Sequence, residues 1–136
     1  MKLTIAARAL FFLIFVIVTW LILTPDTKET EPGMDVARWL SQYIFGNPNL
    51  GDKVAHFLAF GSLGAVAALA RLKIAKSGVL VIAALAVYGG LLEIGQLLGG
   101  VRDAEVMDAV ADAIGAGVCY PAMAFAVRFM RERFAS

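Results

Sequence analysis

The chain has 136 residues, of which 60% are hydrophobic and 17% are charged, and its formal net charge is +1. A soluble domain is usually about half apolar and about a quarter charged, so this composition excludes an ordinary soluble domain and predicts that the apolar excess faces lipid. The small net charge excludes a field that would recruit nucleic acid. The single cysteine, Cys119, excludes an internal disulfide and a cysteine-based metal site, and we interpret it as a packing residue.

Four apolar stretches predict four membrane-spanning α-helices in one all-α membrane domain over residues 1–136. The stretches cover residues 3–23, 54–70, 79–98 and 109–129. Each is close to the roughly 17 to 25 residues that cross a hydrocarbon core as a helix. The first stretch contains Arg8 and follows Lys2, as in a cleaved signal peptide. However, residues 21–25 offer no small-x-small cleavage site, so we expect this stretch to be retained as an anchor.

The segment between the first two spans predicts a short amphipathic helix over residues 34–45. Its apolar residues follow the i, i+3, i+4, i+7, i+8 spacing of one helix face: Val36, Trp39, Leu40, Tyr43 and Ile44. Asp35 suits its beginning, and Gly46-Asn47-Pro48 ends it. Because Trp and Tyr favour the headgroup level, this helix either lies on the outer membrane surface or folds over the ends of the spans as a lid.

Basic residues are concentrated on one side of the predicted membrane. That side carries eight basic residues and one acid: Lys2, Arg8, Arg71, Lys73, Lys76, Arg128, Arg131, Arg133 and Glu132. The other side carries four basic residues and ten acids. Since an excess of Lys and Arg in short loops marks the cytoplasm, both termini are predicted to be cytoplasmic.

Ionisable residues near the outer ends of the second, third and fourth spans predict a polar pocket. Helical spacing aligns them in three stripes: Lys53, His56, Phe60 and Gly64; Gly89, Glu93, Gln96 and Gly100; Asp108, Asp112, Gly115 and Cys119. A charge at membrane depth costs at least ~2.5–3.5 kcal/mol, so such residues usually face the bundle interior. The predicted pocket residues are Asp52, Lys53, His56, Glu93, Gln96, Arg102, Asp108 and Asp112.

Three interpretations of this pocket are open: a metal site, an anion site and a structural network. His56, Glu93 and Asp112 are candidate ligands of a divalent metal, because imidazole and carboxylates bind such cations. Lys53 and Arg102 can instead hold an anionic headgroup or phosphate, with His56 or Glu93 as acid or base. The third interpretation is a structural network of ion pairs that locks three helices together. No nucleophile is evident, so we assign no catalytic residue.

These motifs, in this order, resemble the VanZ-like family of bacterial membrane proteins. The matching motifs fall within residues 35–120: Asp52-Lys53-x-x-His56-Phe57-x-x-Phe60, Glu93-x-x-Gln96, Arg102 and Asp108-x-x-Ala111-Asp112-x-x-Gly115. The chain departs from the family at Asp112, where Asn is common, and this adds a negative charge. The resemblance implies a four-span protein of the bacterial inner membrane. The family's namesake is associated with low-level resistance to the glycopeptide teicoplanin.

Three functions follow as hypotheses. The first is an envelope protein without an assigned reaction, which binds an outer-leaflet ligand of lipid-linked or glycopeptide type in the polar pocket. The second is a metal-dependent enzyme that acts on a lipid-linked envelope substrate. The third is a small transporter, which is disfavoured because the sequence shows neither repeated halves nor a matched pair of broken helices.

Overall fold

A computed structural model describes residues 2–24, 27–100 and 105–134. These residues form five helices with no sheet among them: α1 (Lys2–Leu23), α2 (Thr27–Phe45), α3 (Gly51–Leu69), α4 (Val79–Gly99) and α5 (Val106–Phe134). A single 3₁₀ turn, Pro48–Leu50, leads directly into α3. The all-α prediction is therefore confirmed.

Four of the helices are long and apolar enough to cross a membrane, as the sequence predicts. The candidate spans are Thr4–Leu23, Pro48–Leu69, Val79–Gly99 and Val106–Arg133. Large apolar side chains point outwards from them, and Phe12, Val87 and Leu98 are each more than half exposed. Such a surface suits lipid, and the four helices are compatible with an integral membrane protein. The helices extend beyond the predicted spans at several ends, because α3 and α5 continue through polar residues that a hydropathy pattern leaves out.

Helix α3 lies at the centre and contacts the other four helices, and its closest neighbour is α5. An added Cβ at Gly115 would collide with the backbone oxygen of Phe57 and would lie 2.9 Å from the Gly61 nitrogen. A glycine at position 115 therefore lets the two backbones touch, which is how small residues work at helix contacts in membranes. This contact places the polar ends of the α3 and α5 stripes opposite each other.

Helix α1 packs into the bundle through α3 and α4. The rings of Phe15 and Tyr88 stack with their centroids 4.6 Å apart, and Val18 belongs to the buried core. Thr19 donates its hydroxyl hydrogen to the Phe15 carbonyl. The Tyr88 hydroxyl must therefore be the donor in its own hydrogen bond to Thr19.

Helix α2 is longer than the predicted loop helix. It begins at Thr27 rather than at residue 34, and Pro32 lies inside it, where a proline removes one intrahelical hydrogen bond without ending the helix. Of the α2 residues from position 31 onwards, Ala37 and Ser41 are buried, whereas Trp39 and Tyr43 are 64% and 79% exposed. The helix thus packs through its small residues, and the predicted apolar face is unpartnered.

Candidate functional site

Polar residues of α3, α4 and α5 converge at one end of the bundle. Seven of the eight predicted pocket residues lie there, and five of them are buried: His56, Glu93, Gln96, Asp108 and Asp112. Asp52 and Lys53 are half-buried at the start of α3. Arg102, the eighth, lies outside the described residues.

The centre of this cluster is a contact between His56 of α3 and Asp112 of α5. His56 Nδ1 lies 3.0 Å from Asp112 Oδ1, a hydrogen-bond distance. Asp112 is fully buried, and Gly89 of α4 makes room for it, since a Cβ at position 89 would lie 2.5 Å from Asp112 Oδ2. That second oxygen has no hydrogen-bond partner among the described residues.

Two further carboxylates face His56 at distances too long for hydrogen bonds. Glu93 Oε1 is 3.9 Å from His56 Nδ1, and Asp108 Oδ2 is 3.7 Å from His56 Nε2. Glu93 Oε2 accepts a hydrogen bond from the backbone nitrogen of Glu105, at 3.1 Å, whereas Glu93 Oε1 is buried without a partner in the described chain. His56 is therefore surrounded by acids of which only Asp112 bonds to it.

Lys53 holds the outer edge of the cluster. Its ammonium group lies 2.7 Å from Asp52 Oδ2 and 2.9 Å from Asp108 Oδ1, and it also pairs with Glu105. The sequence places Glu105 only in the loop before the fourth span and gives no signal that it joins the site. It was therefore absent from the predicted pocket, although it contacts both Lys53 and Glu93.

Among the described residues, Gln96 donates its hydrogen bond to α1 and not to an acid of the pocket. Its side-chain nitrogen donates to the backbone carbonyl of Ile22, at 2.7 Å, and so ties α4 to the last turn of α1. The last carbonyls of a helix have no partner within it, so this bond satisfies one of them. Gln96 thus holds α1 in place at the side of the pocket.

An open cavity of about 490 Å³ lies above the cluster. Its lining is Met34, Arg38, Pro48, Asn49, Gly51, Asp52, Gln96, Glu105 and Asp108. Met34 and Arg38 belong to α2, which therefore forms one wall of the cavity. Asp108 lines the cavity and also faces His56, so it connects the solvent-accessible space with the buried acids.

The cluster carries more negative than positive charge among the described residues. Five carboxylates gather there, from Asp52, Glu93, Glu105, Asp108 and Asp112. Lys53 is the cation that pairs with three groups at the outer edge, and His56 is the titratable base at the centre. Even with His56 protonated, the acids exceed these two cations.

Within the described part of the chain, two groups of side chains could hold a metal ion. In one group, ligand atoms of His56, Glu93 and Asp108 all lie within 4.8 Å of one another. In the other, the same holds for Asp52, Glu105 and Asp108. The sequence suggested Asp112 as the third ligand beside His56 and Glu93. The structure groups Asp108 with them instead, and Asp112 is hydrogen-bonded to His56 Nδ1.

Comparison with known proteins gives the chain no relative. Neither a protein-family model, nor a curated protein sequence, nor a solved structure matches it. The function of the polar cluster must accordingly be inferred from its own geometry.

Proposed function

We propose that this chain is an inner-membrane protein of the VanZ-like type that binds an outer-leaflet or cell-envelope ligand in the cavity at the acidic end of the bundle. One observation carries the proposal: buried acids with unpartnered oxygens lie beneath an open cavity at the end of three apolar helices. Ionisable residues at membrane depth are costly and usually mark a binding or transport site.

The charge at the opposite end of the bundle supports an outward-facing cavity. Arg71, Lys73, Arg128 and Arg131 line a common cleft there, with Glu132 as the acid among them. A basic end of this kind faces the cytoplasm under the positive-inside rule. The acidic cavity then faces outwards, and both termini lie in the cytoplasm.

The position of α2 supports access from the outer leaflet. Trp39 and Tyr43 stack with their ring centroids 5.8 Å apart on its exposed face, and aromatic residues favour the headgroup region. The opposite side of α2 packs on α3 and contributes Met34 and Arg38 to the cavity. In this arrangement α2 lies at the membrane surface and also walls the cavity, so a ligand carried by a lipid can reach the acids without leaving the interface.

Susceptibility of a bacterial strain tests the proposal. The strain would express the wild-type chain, Glu93→Gln or His56→Ala at equal levels and would be exposed to a glycopeptide antibiotic. The wild-type chain is expected to lower susceptibility to teicoplanin, and both variants are expected to lose that effect. Glu132→Gln is the control, because Glu132 is exposed and pairs with Arg128 at the other end. The proposal would be contradicted if strains that express the wild-type chain, Glu93→Gln and His56→Ala were all equally susceptible to teicoplanin.

A further inference from the structure

We infer that His56, Glu93 and Asp108 form a binding site for one divalent transition-metal cation, with Asp112 as the residue that orients His56. The inference rests on the proposed function, because it names the cation through which the acidic cavity would hold its ligand. The three ligand residues come from three different helices and are all buried. Their ligand atoms lie within 4.8 Å of one another.

The first argument is the unpartnered oxygen of Glu93. Glu93 is only 5% exposed, and its Oε1 faces His56 without a hydrogen bond among the described residues. Buried carboxylate oxygens in folded proteins nearly always have a partner, so one that lacks it calls for an explanation such as a bound ion. A cation held by Glu93, Asp108 and His56 Nε2 would supply that partner, with the Glu93 side chain turning away from the Nδ1 edge of the ring, from which its Oε1 now lies 3.9 Å.

The second argument is the proton on His56. An ionised carboxylate only accepts hydrogen bonds, so the bond to Asp112 places the proton on His56 Nδ1. In the neutral ring, Nε2 then carries a lone pair. That lone pair faces Asp108 Oδ2, another acceptor, at 3.7 Å. Two acceptors that face each other without a hydrogen between them are the arrangement that a metal ion bridges.

One of the distances between ligand atoms already suits coordination. Zinc binds imidazole nitrogen at about 2.0–2.1 Å and carboxylate oxygen at about 2.0–2.2 Å, so two ligand atoms of a tetrahedral site are about 3.4 Å apart. The separation of 3.7 Å between His56 Nε2 and Asp108 Oδ2 is close to this value. Asp108 can ligate through Oδ2 while its Oδ1 keeps the ion pair with Lys53.

The donor set selects the class of metal. An imidazole with two carboxylates suits Zn²⁺ or Mn²⁺ better than Mg²⁺ or Ca²⁺, which prefer oxygen ligands alone. Three protein ligands leave a coordination position open, as in catalytic rather than structural metal sites. Because Asp108 lines the cavity, that position is on the side from which a phosphate or carboxylate of the ligand can approach.

Asp112 has a different role from the three metal ligands. A metal-binding histidine usually donates its other N–H to a carboxylate, which fixes the tautomer and orients the ring. Asp112 occupies this place, 3.0 Å from Nδ1. It is a positioning residue, and Asp112→Asn keeps an acceptor oxygen for the same hydrogen bond while it removes the charge.

The test measures metal binding by the purified full-length chain in detergent after chelator treatment. Titration with ZnCl₂ and with MnCl₂ is expected to give one bound equivalent of either metal, and MgCl₂ is expected to compete weakly. Glu93→Gln and Asp108→Asn are each expected to weaken binding more than a hundredfold. Asp112→Asn is expected to weaken binding by about 10–100-fold and to change the Mn²⁺ electron paramagnetic resonance spectrum, which a purely structural role would leave unaltered. Glu132→Gln is the matched control and is expected to bind as the wild type does.

Several results would overturn the inference. One is that the wild-type chain binds no metal. Another is that the Glu93→Gln and Asp108→Asn variants both bind metal as tightly as the wild type does. Loss of binding in Glu105→Gln but not in Glu93→Gln would place the ion in the outer group instead. The wild-type measurement does not depend on whether any variant folds. If the wild-type chain binds no metal but still protects the strain against the glycopeptide, the cation site is refuted and the proposed function stands. If the chain binds metal but gives no protection, the proposed function is refuted and the cation site stands.

Discussion

Glu93 and Asp112 each keep a buried carboxylate oxygen without a hydrogen-bond partner in the described chain. A buried acceptor left without a partner costs about 1–3 kcal/mol, and more when it is charged. Both residues share His56 as a neighbour, so their negative charges also lie near each other. Natural proteins retain such destabilising arrangements where binding or catalysis needs them. The free energy of unfolding of single-residue variants therefore distinguishes a binding site, whose removal stabilises the fold, from a structural network, whose removal destabilises it.

Glu93→Gln is the substitution that makes this distinction most clearly. In metal-free protein, Glu93→Gln is expected to raise the free energy of unfolding by about 1–3 kcal/mol, because it removes a buried negative charge, one oxygen of which has no hydrogen-bond partner in the described chain, and leaves an acceptor for the Glu105 backbone nitrogen. Thermal unfolding in detergent with excess chelator measures the effect. Glu132→Gln, exposed at the other end, is expected to stay within about 0.5 kcal/mol of wild type. A Glu93→Gln variant that melts well below wild type would show that the cluster is mainly a structural network.

The contact between α3 and α5 decides whether the site forms at all. His56 lies on α3 and Asp112 on α5, and their 3.0 Å contact requires the two backbones to be very close. That closeness depends on small residues one to two turns below the site, where Gly61 and Gly64 face Gly115, Ala116 and Cys119. A side chain inserted there separates the helices and, with them, the polar groups above.

Two glycines on α5 provide a matched test of this contact. Gly115→Ala is expected to destabilise the fold by about 1–3 kcal/mol, because its Cβ would collide with the Phe57 backbone and overpack the contact. Gly117→Ala on the same helix meets only an Ile82 methyl group, at 3.9 Å, and is expected to be neutral or stabilising by up to about 1 kcal/mol. Both changes are read from thermal unfolding in detergent. Equal effects of the two substitutions would mean that α3 and α5 are not in close contact there.

Much of this element-scale arrangement follows from periodicity. The four spans have the length and hydropathy that a membrane requires, and residues such as Lys53, Glu93 and Asp108 fall on their buried stripes because helical spacing fixes which residues share a face. The stripes do not fix the rotation of one helix against another to within a residue. Asp108 and Asp112 lie about one turn apart on the same stripe of α5, and only the packed structure shows that Asp112 is the one that bonds to His56 Nδ1.

Other features leave no pattern in the sequence. Gln96 bonds to the backbone carbonyl of Ile22, and every residue carries such an acceptor, so no residue type marks the partner. The predicted loop helix begins at residue 34, but α2 begins at Thr27 and runs through Pro32 and Gly33. The sequence left two placements open for the apolar stripe of this segment, and no residue type in it indicates that the smaller face with Ala37 and Ser41 is the one that packs on α3.

The two ends of the whole molecule differ in charge. Acids gather around His56 at one end, whereas Arg71, Lys73, Arg128 and Arg131 share a cleft at the other. The positive-inside rule predicts the orientation that we propose, with the turn between α3 and α4 in the cytoplasm and the 3₁₀ turn before α3 outside. The proposed outer-leaflet ligand depends on this orientation, because the reverse would turn the acidic cavity towards the cytoplasm.

Cysteine accessibility tests the orientation directly. Asn49→Cys and Ser77→Cys would each be placed in a Cys119→Ala background, since Asn49 is exposed in the 3₁₀ turn and Ser77 lies in the turn between α3 and α4. A membrane-impermeant maleimide is expected to label Asn49→Cys in intact spheroplasts and Ser77→Cys only after detergent is added, because neither substitution alters the charges that set the orientation. The Cys119→Ala chain without an added cysteine gives the background. Labelling of Ser77→Cys and not of Asn49→Cys in intact spheroplasts would mean the opposite orientation, and the ligand of the acidic cavity would then have to come from the cytoplasm.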